Sequence, residues 1–200
     1  MLAVDGMYRG IIGVADAIKP SSAKAVRTLK AHGIDVWLVT GDNAHTAESV
    51  AKQVGIEHVK SGCLPSDKND CIAELQKQGH LVAMVGDGIN DAAALALSDV
   101  GIAIGTGTDV AAASADIVLA KGELTGISDA LLLSRTTLRI IKENLFWAFA
   151  YNCLGIPVAA GLLYAFGGPL LNPMLAALAM SLSSVTVLTN ALRLKRAKLK

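Results

Sequence analysis

The residues best equipped for chemistry in this 200-residue chain sit in three short polar stretches: Thr40-Gly41-Asp42-Asn43, Pro65-Ser66-Asp67-Lys68 and Gly86-Asp87-Gly88-Ile89-Asn90-Asp91. Together they supply what a phosphoryl group requires. Its equatorial oxygens need hydrogen-bond donors and a fixed cation, and its charge needs a carboxylate-held Mg²⁺. The Thr40 hydroxyl and the Gly41 amide are suitable donors, Lys68 is a suitable cation, and Asp87 is a hard-oxygen ligand for Mg²⁺. Gly86 and Gly88 let the backbone bend and approach closely. Asp91 is suited to hold the metal's water shell or the loop itself. Each stretch taken alone reads as a turn or a solvated charge, and only the ordered set points to phosphate.

A second group of polar residues lies in apolar surroundings: Tyr151 and Asn152, then Met180, Ser183 and Ser184. Met180 and Ser184 are four apart, so a helix would place them on one face. A thioether beside neutral oxygens suits Cu⁺ better than a hard divalent ion, and close helix packing by small polar residues accounts for the same set equally well. Cys153 reads as a packed thiol.

The elements that position these groups follow from punctuation and period. The first 140 residues alternate short apolar runs with helical patterns, which predicts an α/β domain with a mostly parallel sheet. Met7 to Val14 reads as an opening strand, closing a hairpin that turns at Asp5-Gly6. Further strands are expected at 36–39, 81–85, 100–104 and 117–119. Helices are expected at 23–31, introduced by Ser21 and Ser22, at 44–54 ending at Gly55, and at 68–78 ending at Gly79. The strands at 36–39 and 81–85 run straight into the polar Gly-containing loops, which places those loops on the carboxyl edge of the sheet, where open α/β folds bind ligands.

Charge distribution separates the rest of the chain. The formal net charge is only +1, which gives no reason to expect nucleic acid as a partner. The composition is 52% hydrophobic and 18% charged, and Asn144 to Leu192 is a 49-residue run without Asp, Glu, Lys, Arg or His. That length suits two membrane-spanning helices, expected at about 145–165 and 173–192, with a turn at Gly167-Gly168-Pro169 and Asn172-Pro173. A helix from Ile127 is expected to enter the apolar run without a break, with Pro157 as a kink. Arg135, Arg139 and Lys142 precede the run, and Arg193, Lys195, Arg196, Lys198 and Lys200 follow it, which predicts both ends in the cytoplasm. Cys63, Cys71 and Cys153 show no CxxC or metal-ligand spacing.

Three segments carry a family resemblance: Val39-Thr40-Gly41-Asp42-Asn43, Pro65-Ser66-Asp67-Lys68 and Val85-Gly86-Asp87-Gly88-Ile89-Asn90-Asp91-Ala92. They resemble the second, third and fourth motifs of the haloacid dehalogenase superfamily in the form used by P-type ATPases. Ala15-Asp16, Lys19-Pro20, Thr108-Asp109-Val110 and Ala115 to Leu119 look like the rest of that phosphorylation domain. The Tyr151-Asn152 pair and Met180 with Ser184 resemble the Cu⁺/Ag⁺ signature of the heavy-metal-transporting members. Those that move Zn²⁺ carry charged Lys or Asp in these helices.

The resemblance implies a Rossmann-like phosphorylation domain over 14–126, a remnant of a nucleotide-binding domain over 1–13, and a connecting helix, two transmembrane helices and a basic tail over 127–200. It implies the C-terminal part of an ATP-driven Cu⁺ exporter, using ATP and Mg²⁺. In it Thr40, Gly41 and Lys68 cradle an aspartyl phosphate, Asp42, Asn90 and Asp91 support the catalytic loops, and Asp87 binds Mg²⁺. Tyr151, Asn152, Met180 and Ser184 contact Cu⁺. The implied setting is a multi-pass protein of a bacterial plasma membrane, with the phosphorylation domain and C-terminus cytoplasmic. Implied partners are lipid, Cu⁺ or Ag⁺, and the N-terminal portion of the same pump.

Two departures qualify the match. Ala93 stands where these pumps commonly carry proline, and no Asp-Lys-Thr-Gly-Thr motif occurs in the 200 residues. Without that acceptor the chain by itself is expected to be inactive. A non-catalytic module that binds Mg²⁺ or phosphate, and a membrane-anchored phosphatase, are the alternatives. The phosphatase needs an Asp-x-Asp pattern that Val14-Ala15-Asp16-Ala17 does not supply.

Overall fold

The computed structural model describes residues 2–10, 17–87, 89–105, 112–168 and 172–196. The expectations placed on Val14 to Asp16, Gly88, Thr108 to Val110, Pro169, Lys198 and Lys200 lie outside them. The chain divides into two compact units, Met1–Ser128 and Asp129–Lys200.

The first unit opens with strands β1 (Leu2–Val4) and β2 (Met7–Gly10), paired antiparallel. Asp5 and Gly6 between them take φ of 53° and 74°, the positive pair a tight two-residue hairpin turn requires. Helix α1 is Pro20–Ala31, three residues longer at its start than its periodicity suggested. Pro20 explains this, because its fixed φ and missing N–H suit the first helical position, so Ser21 and Ser22 fall inside the first turn. Val26 and Leu29 are buried, as the helical spacing predicts.

Next come β3 (Trp37–Val39), α2 (Ala44–Val54), β4 (His58–Lys60) and α3 (Pro65–Lys77). Asn43 caps α2 by accepting the Thr46 N–H at 2.9 Å, and Gly55 closes it in the left-handed region. Strand β4 has no counterpart in the sequence reading. Three residues with His and Lys at the ends carry too little pattern, and the strand exists through its partner. It pairs parallel with β3, and the Trp37 and His58 rings stack at 4.6 Å. Lys60 continues the tether by donating to Glu74 of α3 at 3.1 Å, which raises the lysine above its ordinary pKa.

The remaining elements of this unit are β5 (Ala83–Gly86), a 3-10 turn at Ile89–Asp91, α4 (Ala92–Leu97), β6 (Val100–Ile104) and β7 (Ile117–Leu119). Strands β5, β6 and β7 form a parallel sheet in that order, so the expected parallel α/β domain is present. Strand β5 starts two residues later than its apolar run, and Leu81 is exposed. The cause is local. The Val82 N–H is taken by the Asp99 carboxylate at 2.8 Å, while the Val82 carbonyl accepts from the Asp99 and Val100 amides. Among the described residues, no ladder joins β3 to β5.

The helix expected from Ile127 is α5, Thr125–Ala159, and it passes Glu143 and Asn144 unbroken with Pro157 inside it. Gly161 then takes φ 94°, and a four-residue helix, α6 (Leu162–Ala165), follows. The last helix, α7 (Pro173–Leu192), starts with Pro173 and is capped by Asn172, which accepts the Met174 N–H at 2.9 Å.

The expected pair of membrane spans is corrected here. The apolar part of α5 runs only from Leu145 to Ala159, about 22 Å at 1.5 Å per residue, against a hydrocarbon core of about 30 Å. The span expected to 165 is therefore two helices separated by a left-handed glycine. Helix α7 has 20 residues, and from its ninth residue onward it carries Ser181, Ser183, Ser184, Thr186, Thr189 and Asn190. Among the described residues, no helix is long and apolar enough to cross a membrane.

Candidate functional site

Thr40 leaves the carboxyl end of β3, and its N–H still donates to the Lys60 carbonyl at 2.9 Å, extending the β3–β4 ladder by one bond. Its hydroxyl donates to Asp42 Oδ2 at 2.9 Å and accepts the Asp42 N–H at 3.1 Å. Thr40 and Asp42 thus hold each other across Gly41. A second loop clamps them: the Cys63 N–H donates to the Thr40 carbonyl at 3.0 Å, and the Gly62 N–H donates to the Asp42 carbonyl at 2.7 Å. A Cβ on Gly41 would lie 3.3 Å from the Cys63 carbonyl oxygen, so a small residue fits this clamp best. The clamp escaped sequence reasoning, although Gly62, with φ 65°, was its visible signal.

Lys68 lies in the first turn of α3. Pro65 is the first helical residue, and Asp67 turns its carboxylate back to accept the Leu64 N–H at 2.8 Å. Lys68 Nζ reaches Asp91 Oδ1 at 2.6 Å, with both side chains largely buried. The pair ties the helix that follows β4 to the turn that follows β5, so it bridges the two pieces of parallel sheet. Asp91 is only 9% exposed, among the least accessible acids of the described chain.

Gly86 shows how tightly this turn is built. It is buried, and a Cβ there would meet Asp91 Cβ and Oδ2 at 2.7 Å. Space rather than backbone conformation requires the glycine. Asp87 and Asn90, in contrast, are exposed at the carboxyl end of β5.

Sequence reasoning also missed Asn69, next to Lys68, whose side-chain oxygen is buried without a hydrogen-bond partner. A buried acceptor of this kind is costly unless something satisfies it. Asp116 was singled out only as part of a motif, and it accepts the Gly101 N–H at 2.8 Å, fixing the start of β6.

As a chemical device, the carboxyl edge combines hydroxyl and amide donors at 40–41, a lysine held by Asp91, and an exposed carboxylate at Asp87. Hard oxygen donors of that kind fit Mg²⁺ rather than a soft ion. Among the described residues, no group of three or more His, Cys, Asp and Glu is placed to hold a metal by itself.

The second set of predicted residues lies in the other unit. Asn152 on α5 donates to the Ala148 carbonyl at 2.9 Å, and Ser184 on α7 donates to the Met180 carbonyl at 3.3 Å, so both satisfy their own helices. Tyr151 lies beside Trp147 with ring centroids 6.4 Å apart, and Met180 is exposed.

The parallel sheet and the residues at its carboxyl edge define a haloacid dehalogenase-like domain, and residues 2–99 match the family model of the haloacid dehalogenase-like hydrolases. Beyond that region, nearly the whole chain is similar to P-type ATPases. It is 57% identical to the probable copper-transporting ATPase PacS of Synechocystis sp., over 98% of this chain and 26% of that protein. It is 52% identical to the silver exporting P-type ATPase of Salmonella typhimurium, over 99% of this chain and 24% of that protein. The crystal structure of a zinc-transporting PIB-type ATPase in an E2.Pi state aligns with a TM-score of 0.77 at 36% identity, covering 90% of this chain and 28% of that one. The chain thus spans about a quarter of the length of the curated relatives it matches.

Proposed function

We propose that this chain is the phosphoryl-handling part, with an adjoining helical unit, of an ATP-driven pump that exports Cu⁺ or Ag⁺. The observation that carries the reading is the Lys68–Asp91 pair at 2.6 Å. It holds a cation at the carboxyl edge of a parallel sheet whose neighbouring loop presents the Thr40 hydroxyl, and the copper- and silver-transporting relatives match this whole region.

In this reading the acceptor aspartate belongs to a segment that carries Asp-Lys-Thr-Gly-Thr. Among the described residues no ladder joins β3 to β5, which in this reading leaves room for such a strand. Thr40 and Gly41 donate to the phosphoryl oxygens, and Lys68 offsets their charge. Asp91 keeps Lys68 in one position, so that little reorganisation accompanies transfer. Asp87 would hold Mg²⁺, which supplies further charge compensation. Asp42 and the Gly62-Cys63 loop keep Thr40 oriented, and Asn90 supports the turn.

The helical unit works at the membrane of a multi-pass bacterial protein, with the phosphorylation domain and the C-terminus cytoplasmic. Leu145, Phe146, Phe149, Leu154 and Ile156 of α5 are all more than half exposed, as are Leu182 and Leu188 of α7. Such a surface needs lipid or neighbouring helices to cover it. Tyr151, Asn152, Met180 and Ser184 are the proposed Cu⁺ contacts, a soft and neutral set. ATP binds to the longer protein.

The test is complementation. The chain is co-expressed with the N-terminal portion of a copper-transporting relative, including Asp-Lys-Thr-Gly-Thr, and reconstituted in vesicles. Cu⁺-stimulated ATP hydrolysis that disappears in Lys68→Ala and Asp87→Asn is the expected result. Stimulation by Zn²⁺ with none by Cu⁺ would overturn the ion assignment. Phosphomonoester hydrolysis by the chain alone would favour the phosphatase reading.

A further inference from the structure

We propose that the basic face of α5, just before its apolar run, seats the headgroup phosphate of an anionic phospholipid. The proposal rests on the helical unit working at the membrane, and goes beyond it by assigning a headgroup chemistry to named residues.

Arg135, Arg139 and Lys142 are spaced four and three apart, which puts them on one face of α5. With Leu138 and Glu143 they line an open depression of about 500 Å³. Glu143 is the acid in this lining, and it is already engaged. Its Oε2 accepts from Arg193 at 3.0 Å, and its Oε1 lies 3.6 Å from Arg139 Nε. In satisfying Glu143, Arg193 brings a cation from the end of α7 to the same patch. Arg139, Lys142 and Arg193 therefore stand around one carboxylate, and that imbalance of charge suits an anion.

What lies beyond the patch decides which anion. Asn190 donates to Asn144 at 2.9 Å, so Glu143 and Asn144 of α5 meet Asn190 of α7 and Arg193 just beyond it in one polar layer. From that layer onward the chain carries no charge for 49 residues, and exposed Leu145, Phe146 and Phe149 continue the same helix. Trp147 is exposed next to the layer, packed edge-on against Phe146 at 5.5 Å. Tryptophan concentrates at the headgroup level of membranes. A free phosphate or a nucleic acid has no use for an apolar surface beside its charge. A phospholipid has both parts in that order, and basic pockets beside membrane helices take acidic headgroups.

The test uses the full 200-residue chain in flotation with vesicles of phosphatidylcholine alone or of phosphatidylcholine mixed with phosphatidylglycerol. The chain is expected to prefer the anionic vesicles. Arg139→Gln with Lys142→Gln is expected to cut that preference roughly 10- to 30-fold, from about 1 kcal/mol per basic residue near an anionic surface. Arg139→Lys with Lys142→Arg keeps the charge and should retain it, as should Lys24→Gln with Arg27→Gln on α1. Far-ultraviolet circular dichroism verifies that each variant keeps its helices. Equal binding to both vesicles, or a preference untouched by the neutralising pair, overturns the lipid seat while leaving membrane placement intact. Loss of the preference upon adding inorganic phosphate at constant ionic strength reassigns the patch to a free anion. Flotation with neither vesicle overturns the seat and the membrane placement together.

Discussion

Replacing Gly86 by alanine tests the site's construction most directly. The added Cβ would lie 2.7 Å from Asp91 Cβ and Oδ2 and 2.9 Å from Cγ. Carbon–carbon contacts are comfortable near 3.5–4.0 Å, so about 1 Å of displacement is needed. Gly86 cannot supply it readily, because β5 pairs with β6 at that position, opposite Ala103. The side chain of Asp91 must move instead. A shift of about 1 Å turns its 2.6 Å contact with Lys68 into roughly 3.6 Å, outside hydrogen-bond range. Losing a charge-assisted bond costs about 1.5–3 kcal/mol, and overpacking costs about 1–3 kcal/mol. Partial relaxation makes the two overlap, so the expected destabilisation is about 3 kcal/mol.

The assay is urea unfolding of the chain in mild detergent, followed by Trp37 fluorescence in a Trp147→Phe background. Lys68→Met alone should cost about 2–3 kcal/mol, since it leaves the shielded Asp91 carboxylate without its cation. Combined with Gly86→Ala it should add little, because the alanine has already broken the pair. The coupling energy should then approach the whole cost of the lysine change, about 2–3 kcal/mol. A Gly86→Ala chain within about 0.5 kcal/mol of wild type, or strictly additive effects, would refute the reasoning.

Asn43→Ala removes the side-chain acceptor for the Thr46 N–H and should cost about 1 kcal/mol, read by the same unfolding assay, with Asn43→Asp close to wild type. Asp99 gives a pH prediction. Its carboxylate accepts the Val82 N–H and then the Gln76 amide, which holds its pKa below the ordinary value of 3.8. A depressed carboxylate pKa contributes stability that is present above the unfolded value and lost as pH falls through the folded one. Urea midpoints of wild type should therefore fall more steeply than those of Asp99→Asn as the solution is taken below that value. Parallel midpoints through the acid range would remove Asp99 from the account.

The fold was legible where one short stretch of sequence contained its own cause. Asp5-Gly6 set a hairpin, Asn43 and Gly55 bounded a helix, and Val100 to Ile104 carried enough apolar residues to read as a strand. It was illegible where the cause lay elsewhere in the chain. His58–Lys60 is a strand because Trp37 stands opposite, and Leu81 is left outside β5 because Asp99 claims the amide of Val82. The apolar run to Leu192 looked like two complete spans, since composition does not register Gly161 turning left-handed and ending the first helix short.

The candidate site divides in the same way. Residue types and order alone pointed to Thr40, Lys68 and Asp87 as the proposed phosphate-handling set, because that chemistry requires a donor, a cation and a hard-oxygen ligand, and polar loops after apolar strands put such groups on one edge. Tertiary structure alone decided that Asp91 holds Lys68 from 23 residues away, that Gly86 is needed for room, and that Gly62 and Cys63 clamp the Thr40 loop. Which groups are available for chemistry is a property of the pattern of residues. Which are held still depends on contacts between segments distant in sequence, and those form only when the chain packs.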